Sequence, residues 1–115
     1  MKIREQLQEN VTILTISGNM MSGPETQKLH KHVSGLAADS ILNIVVDLSK
    51  VKWLNSTGLG VLMASYGTAV KNGGNIKLYG VTEKVKSLLM ITRLLTFFET
   101  FETLEQAVAS YKDNN

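Results

Sequence analysis

An apolar segment from Ile41 to Val46, interrupted only by Asn43, most constrains the fold of this chain. The segment is too short for most helices, and it is apolar at successive positions, which in a strand point to opposite faces of a sheet. A strand buried on both faces is typical of parallel sheets, whose faces are covered by helices. We therefore expect a central parallel strand here, in a sheet flanked by helices.

Strand and helix patterns alternate before this segment. β-branched residues predict a strand from Val11 to Ile16, paired with a first strand around Ile3 to Leu7 across a Glu9-Asn10 turn. The sequence Ser22-Gly23-Pro24-Glu25 has the spacing of a capping box with proline in the first turn, which predicts that a helix begins there.

The alternation continues after the segment. The expected elements are a helix with Leu59, Leu62, Met63, Tyr66 and Val70 on one face and a stop at Gly73-Gly74, a strand from Asn75 to Tyr79, a helix capped by Thr82, a short strand from Thr96 to Thr100, and a helix after the capping box Thr103-x-x-Gln106. This order predicts an α/β fold in one domain over residues 1–115, with about four helices around the sheet. We expect the tail from Lys112 to Asn115 to be disordered.

Composition excludes several classes of protein. The 115 residues include no cysteine, so neither a disulfide framework nor a thiol nucleophile is present. No apolar run approaches the roughly 20 residues that cross a bilayer, and the first residues lack a signal-peptide core. The net charge is +2 and the basic residues are scattered, so we expect no direct nucleic-acid binding, no membrane insertion and a cytoplasmic location.

A hydroxyl residue marks the junction between the central strand and the next helix. Ser56 stands where that helix should begin, and we expect it to be the N-cap, because a serine oxygen accepts from the free amides of a first turn. The same amides, together with the positive end of the helix dipole, would stabilise a phosphate on that oxygen. A plain helix cap is the alternative interpretation.

The segment from Asp47 to Gly60 reads Asp-Leu-Ser-x-Val-x-x-Leu-Asn-Ser-Thr-Gly-Leu-Gly. It resembles the signature of STAS domains, in particular the stand-alone bacterial anti-sigma-factor antagonists, and the order of elements resembles that family over nearly the whole chain. The resemblance implies a mixed β-sheet flanked by helices. It also implies that Ser56 is phosphorylated by a partner that is both a serine kinase and an anti-sigma factor.

The same resemblance implies how the protein acts. When unphosphorylated it would bind the anti-sigma factor and free the sigma factor, phosphorylation of Ser56 would switch it off, and a phosphatase could reset it. We expect no enzymatic activity, catalytic residue, cofactor or metal. The partner-binding surface is expected to comprise Met20, Met21, Ser22, Asn55, Ser56, Thr57, Gly58 and Leu59.

Two positions depart from the family pattern. Asn55 stands where the family usually has aspartate before the serine, and Gly18-Asn19-Met20-Met21 stands where it usually has an acidic residue after the glycine. Both positions near the expected switch are therefore neutral. Asn55 favours an alternative function as a STAS subunit of a membrane transport ATPase, which would need no phosphorylation. A small-molecule or nucleotide sensor is a further alternative.

Other residues have competing interpretations. Gly58 and Gly60 each cost about 1 kcal/mol in a helix relative to alanine, which predicts either close packing on the sheet or a flat surface for a partner. We expect Trp53 to pack under the loop before Ser56 and Asp47 to be solvated or capping. His30 and His32 point to different faces of their helix, so we expect surface residues rather than a metal pair.

Overall fold

The computed structural model describes residues 1–21 and 23–112. Its elements, in chain order, are β1 (Lys2–Gln8), β2 (Val11–Ser17), α1 (Gly23–Ala38), β3 (Asn43–Lys50), α2 (Ser56–Lys71), β4 (Asn75–Tyr79), α3 (Glu83–Ile91), a 3-10 turn (Leu94–Thr96), β5 (Thr100–Phe101) and α4 (Leu104–Lys112).

The five strands form one mixed sheet in the order β1-β2-β3-β4-β5. β1 and β2 pair antiparallel, whereas the pairs from β2 to β5 are all parallel. The predicted fold class is therefore confirmed. The predicted turn between β1 and β2 is also present, and Glu9 and Asn10 both have the positive φ angles, 50° and 68°, of a tight hairpin connection.

Two apolar clusters hold the helices on opposite faces of the sheet. The larger cluster places α1, α2 and α3 on one face, and the smaller places α4 on the other. Successive residues of β3 contribute to opposite clusters: Ile44 and Val46 to the larger one, and Val45 to the smaller one. This is why the segment is apolar at successive positions.

The end of α2 matches the predicted stop. Asn72 is the C-cap, and Gly73 follows with a φ of 88°, an angle that residues other than glycine rarely adopt. The amide of Gly73 donates to the carbonyl of Val70 (3.0 Å), and that of Gly74 donates to Ala69 (2.8 Å). These two bonds form a Schellman motif, which satisfies carbonyls that the last turn would leave free.

Some predicted boundaries are wrong. The central strand runs over Asn43–Lys50 rather than from Ile41 to Val46, because its pairing with β4 begins at Asn43 and its pairing with β2 extends to Lys50. The strand predicted from Thr96 to Thr100 starts only at Thr100. The residues before it turn instead, so that Phe98 is buried with its ring centroid 4.9 Å from that of Tyr66.

The helix caps and helix ends agree only in part with the predictions. Thr103 caps α4 as predicted, accepting from the Gln106 amide at 3.1 Å. Thr82 occupies the N-cap position of α3, but its hydroxyl donates to the carbonyl of Val51 at 3.3 Å and does not cap. Val70, predicted to share one face of its helix with Leu59 and Leu62, is 46% exposed, whereas those two leucines are buried. Lys112, predicted to begin a disordered tail, is the last residue of α4, and residues 113–115 lie outside the described part.

Polar contacts fasten α4 to the sheet. The Tyr111 hydroxyl accepts from the Ile44 amide at 3.2 Å and lies within donating distance of the carbonyls of Ile44 and Asn75. Burial raises the pKa of Tyr111 well above its ordinary value, because water no longer stabilises the phenolate. Beside it, the ammonium of buried Lys77 bonds with Glu99 (3.2 Å) and lies 4.3 Å from the centroid of the Tyr111 ring.

Among the described residues, no helix is long and apolar enough to cross a membrane.

We predict that Tyr111→Phe lowers the free energy of unfolding by about 1–3 kcal/mol, because buried backbone groups of β3 and β4 lose their partner. Urea denaturation measures the change. Tyr66→Phe is the matched control, since the Tyr66 hydroxyl makes no hydrogen bond with described residues, and it should change stability by less than about 0.5 kcal/mol. Equal effects of the two substitutions would contradict this account of α4.

Candidate functional site

The candidate site lies at the carboxyl end of β3, where open α/β sheets usually bind their ligands. β3 ends at Lys50, residues 51–55 cross the end of the sheet, and α2 begins at Ser56. The buried side chains of Val51 and Leu54 anchor this connection in the core. The start of α2 is therefore held in a fixed position at the carboxyl end of the central strand β3.

Asn55, rather than Ser56, caps α2. The Asn55 backbone is extended, and its side-chain oxygen accepts from the Gly58 amide at 3.1 Å. Its carbonyl accepts the first bond of the helix, from the Leu59 amide at 2.9 Å. The prediction that Ser56 is the N-cap is wrong by one position, because asparagine caps as well as serine and stands one residue earlier.

Ser56 is the first residue of α2, and it is exposed. Within the described part of the chain, no group hydrogen bonds with its hydroxyl, and the first turn of α2 contains no acidic residue. The amides of Ser56 and Thr57 precede the first bond of the helix, so they have no partner within it. An anion on the Ser56 oxygen would meet free amides and a favourable helix dipole.

The loop after β2 is clamped against the connection before α2. Met20 forms a parallel bridge with Leu54: its amide donates to the carbonyl of Trp53 at 3.2 Å, and its carbonyl accepts from the Asn55 amide at 3.2 Å. The Met20 side chain is completely buried. It therefore belongs to the core, which corrects its predicted role as a partner contact.

Gly58 packs directly against the bridge between Met20 and Leu54. A Cβ atom at Gly58 would lie 2.3 Å from the Met20 carbonyl oxygen and 3.0 Å from the Leu54 side chain. At Gly60, by contrast, a Cβ atom would meet nothing within 4 Å, and the residue is exposed. The two interpretations of the glycines thus apply to different residues: Gly58 serves close packing, and Gly60 leaves an open, flat surface on α2.

Four of the other predicted contact residues remain accessible to a partner. Gly60, for which a flat partner surface was one of the two interpretations, and Trp53, which the sequence did not suggest as a contact, are accessible as well. Leu59 is only 8% exposed and packs in the core, and Ser22 lies outside the described residues. Trp53, expected to pack under the loop, is instead 41% exposed. We call the accessible residues the α2-start surface: Met21, Trp53, Asn55, Ser56, Thr57 and Gly60.

Other residues considered from the sequence do not join this surface. Asp47 is 9% exposed rather than solvated, and it accepts from the amide (2.9 Å) and hydroxyl (2.7 Å) of Ser49. His30 bonds with Thr68 at 2.9 Å, and His32 bonds with Glu5 at 2.6 Å. Among residues 1–21 and 23–112, no three His, Asp or Glu side chains are grouped closely enough to hold a metal ion.

Comparison with known proteins identifies the family. The model of the STAS domain family matches residues 2–107. The chain belongs to the STAS domain family.

Solved structures similar to this STAS domain include anti-sigma factor antagonists and a sulfate transporter family protein from Wolinella succinogenes, which superposes with a TM-score of 0.73 at 17% identity over 93% of this chain and 88% of that one. A candidate antagonist from Thermotoga maritima superposes with a TM-score of 0.83 at 24% identity, over 94% of this chain and 92% of that one. An antagonist from Mycobacterium paratuberculosis gives 0.79 at 25% identity, over 95% and 92%. The Bacillus cell-fate determinant SpoIIAA in its phosphorylated form gives 0.74 at 11% identity, over 96% and 99%, and shares the fold.

We predict opposite effects for the same substitution at the two glycines. Gly58→Ala should destabilise the protein by about 1–3 kcal/mol, because the Met20 backbone must move to admit the methyl group. Gly60→Ala should stabilise it by up to about 1 kcal/mol, because alanine is the better helix former and the site is open. Urea or thermal denaturation measures both, and a destabilised Gly60→Ala or an unaffected Gly58→Ala would contradict the packing described here.

Proposed function

We propose that this STAS domain is an anti-sigma-factor antagonist whose α2-start surface binds an anti-sigma factor while Ser56 is unmodified. The observation that carries the proposal is the exposed Ser56 hydroxyl at a helix start without acidic residues, in a chain that shares its fold with several anti-sigma factor antagonists. The proposal treats the domain as a regulator that acts by binding rather than as an enzyme.

The chemistry of the surface suits a protein partner. Trp53 is large and exposed, and tryptophan is enriched among the residues that dominate binding energies. Met21 is 40% exposed and offers an adaptable apolar contact. The open position at Gly60 lets a partner approach the backbone of α2 closely. An aromatic anchor beside a flat helix start can bury apolar area without desolvating a charge.

Phosphorylation of Ser56 would change this surface without disturbing the fold. A phosphate brings about −1.5 to −2 charges at neutral pH. The helix start can accommodate that charge through its free amides. A partner fitted to a neutral hydroxyl cannot, because its own surface would have to desolvate the phosphate. We therefore propose that the Ser56 phosphate prevents binding of the anti-sigma factor, which would be both the serine kinase and the binding partner, and that a phosphatase restores binding.

We predict that Gly60→Arg weakens binding of the cognate anti-sigma factor at least tenfold, because the arginine side chain would stand between α2 and the partner. Isothermal titration calorimetry measures the affinity. Gly58→Arg is unsuitable, since even a Cβ atom there meets the Met20 backbone. Gly35→Arg is the matched control: Gly35 is also an exposed helical glycine with open space around it, but it lies on α1.

Circular dichroism should show that both arginine variants are folded. Unchanged affinity of Gly60→Arg would contradict the assignment of the surface, and an equal loss in Gly35→Arg would show that the effect does not depend on the position.

We predict that the cognate kinase and ATP add one phosphate to the wild type and to Thr57→Ala, and none to Ser56→Ala. Ser56 and Thr57 are neighbouring exposed hydroxyls at the same helix start, so Thr57→Ala is the matched control. Intact-protein mass spectrometry counts the phosphates. Modification of Ser56→Ala, or loss of the phosphate in Thr57→Ala alone, would place the switch at Thr57.

The roles as a transport ATPase subunit or as a small-molecule sensor remain untested predictions.

A further inference from the structure

A positively charged groove runs between β1 and α1, on the flank of the domain. Its volume is about 630 Å³, and its lining consists of Met1, Lys2, Ile3, Lys28, Lys31 and His32. None of these residues belongs to the α2-start surface. Met1 and Ile3 also pack against the core, so apolar side chains lie beside the basic residues of this groove.

The positive charge of the chain is concentrated here. The three lysines contribute +3, whereas the whole chain carries +2, so the remaining residues sum to −1. Two carboxylates bond with groups beside the lysines: Glu5 with His32 at 2.6 Å and Glu25 with the terminal amino group at 3.1 Å. The bond to the amino group, together with the nearby charge of Lys28, lowers the pKa of Glu25. In the described part of the chain, the three lysines form no salt bridge.

The groove adjoins an open edge of the sheet. β1 is the outermost strand and pairs with β2 on one side only. On the α1 side of this strand, Leu7 is 73% exposed, which is the highest exposure among the large apolar residues of the sheet. An open edge offers backbone amides and carbonyls to an extended segment of another chain. Lys2 and Arg4 on β1 disfavour pairing with a second copy of the same strand.

The alternation of β1 side chains sets what such a segment would meet. Ile3 packs in the cluster beneath α1, and Glu5 contacts His32 of α1, so the odd-numbered residues of β1 face α1. A strand added to β1 would lie about 4.8 Å away, with every second side chain directed to the same side. Those side chains would lie next to Lys28 and Lys31. Acidic groups at alternate positions would therefore pair with the lysines.

We propose that the groove binds an extended acidic segment of a partner protein, which adds to β1 as a sixth strand and directs alternate carboxylates at Lys28 and Lys31. The backbone edge supplies hydrogen bonds, and the lysines select for acidic side chains. The interaction is separate from the α2-start surface, and it does not depend on the state of Ser56.

The test uses the full chain and a fluorescein-labelled seven-residue peptide of alternating glutamate and valine, with fluorescence anisotropy at 0.15 M salt. We expect the peptide to bind the wild type and to bind Lys28→Glu/Lys31→Glu at least tenfold more weakly. Lys84→Glu/Lys86→Glu, two exposed lysines of α3, makes the same change in net charge. Because charges more than about 8 Å apart are screened at this salt concentration, that control should retain affinity within twofold.

A second peptide of the same sequence carries a methyl group on every backbone amide and so cannot donate to β1. We expect its binding to be lost. Binding as strong as that of the first peptide would overturn strand addition and leave only a charge effect. Failure of the first peptide to bind the wild type, or equal loss in the two double variants, would overturn the proposed site.

Discussion

The carbonyl group of Met20 is the contact on which the candidate site depends. It accepts from the Asn55 amide at 3.2 Å, and it lies so close to Gly58 that only a hydrogen atom fits between them. The loop after β2 and the start of α2 are thereby fixed to each other. A surface that is already ordered loses less entropy on binding, so this clamp favours recognition of a partner without rearrangement.

The residue that caps α2 and the residue proposed to be phosphorylated are neighbours in the chain. Asn55 satisfies the Gly58 amide, whereas Ser56 directs an unbonded hydroxyl to solvent. A group attached to Ser56 therefore removes no hydrogen bond of the fold. The neutral amide of Asn55 also adds no repulsion to a phosphate beside it, whereas a carboxylate at the same position would. Charge on Ser56 can thus act on a partner while the domain stays intact.

The order of the helices and strands could be predicted from the sequence. Apolar periodicity and glycine positions identified the central strand and the end of α2, because these signals are local. Burial across the Met20 bridge could not be predicted in this way: the loop sequence shows two methionines, and only the pairing with Leu54 places the first in the core and leaves the second 40% exposed.

The central claim is that a phosphate on Ser56 acts on the interface and not on the fold. The most direct measurement determines, for the phosphorylated and the unmodified protein, both the affinity for the anti-sigma factor by calorimetry and the free energy of unfolding by urea denaturation. The account predicts an affinity at least a hundredfold lower after phosphorylation, with a free energy of unfolding that is unchanged or higher by about 0.3–1 kcal/mol from the helix dipole. Unchanged affinity, or a loss of affinity accompanied by an equal loss of stability, would contradict it.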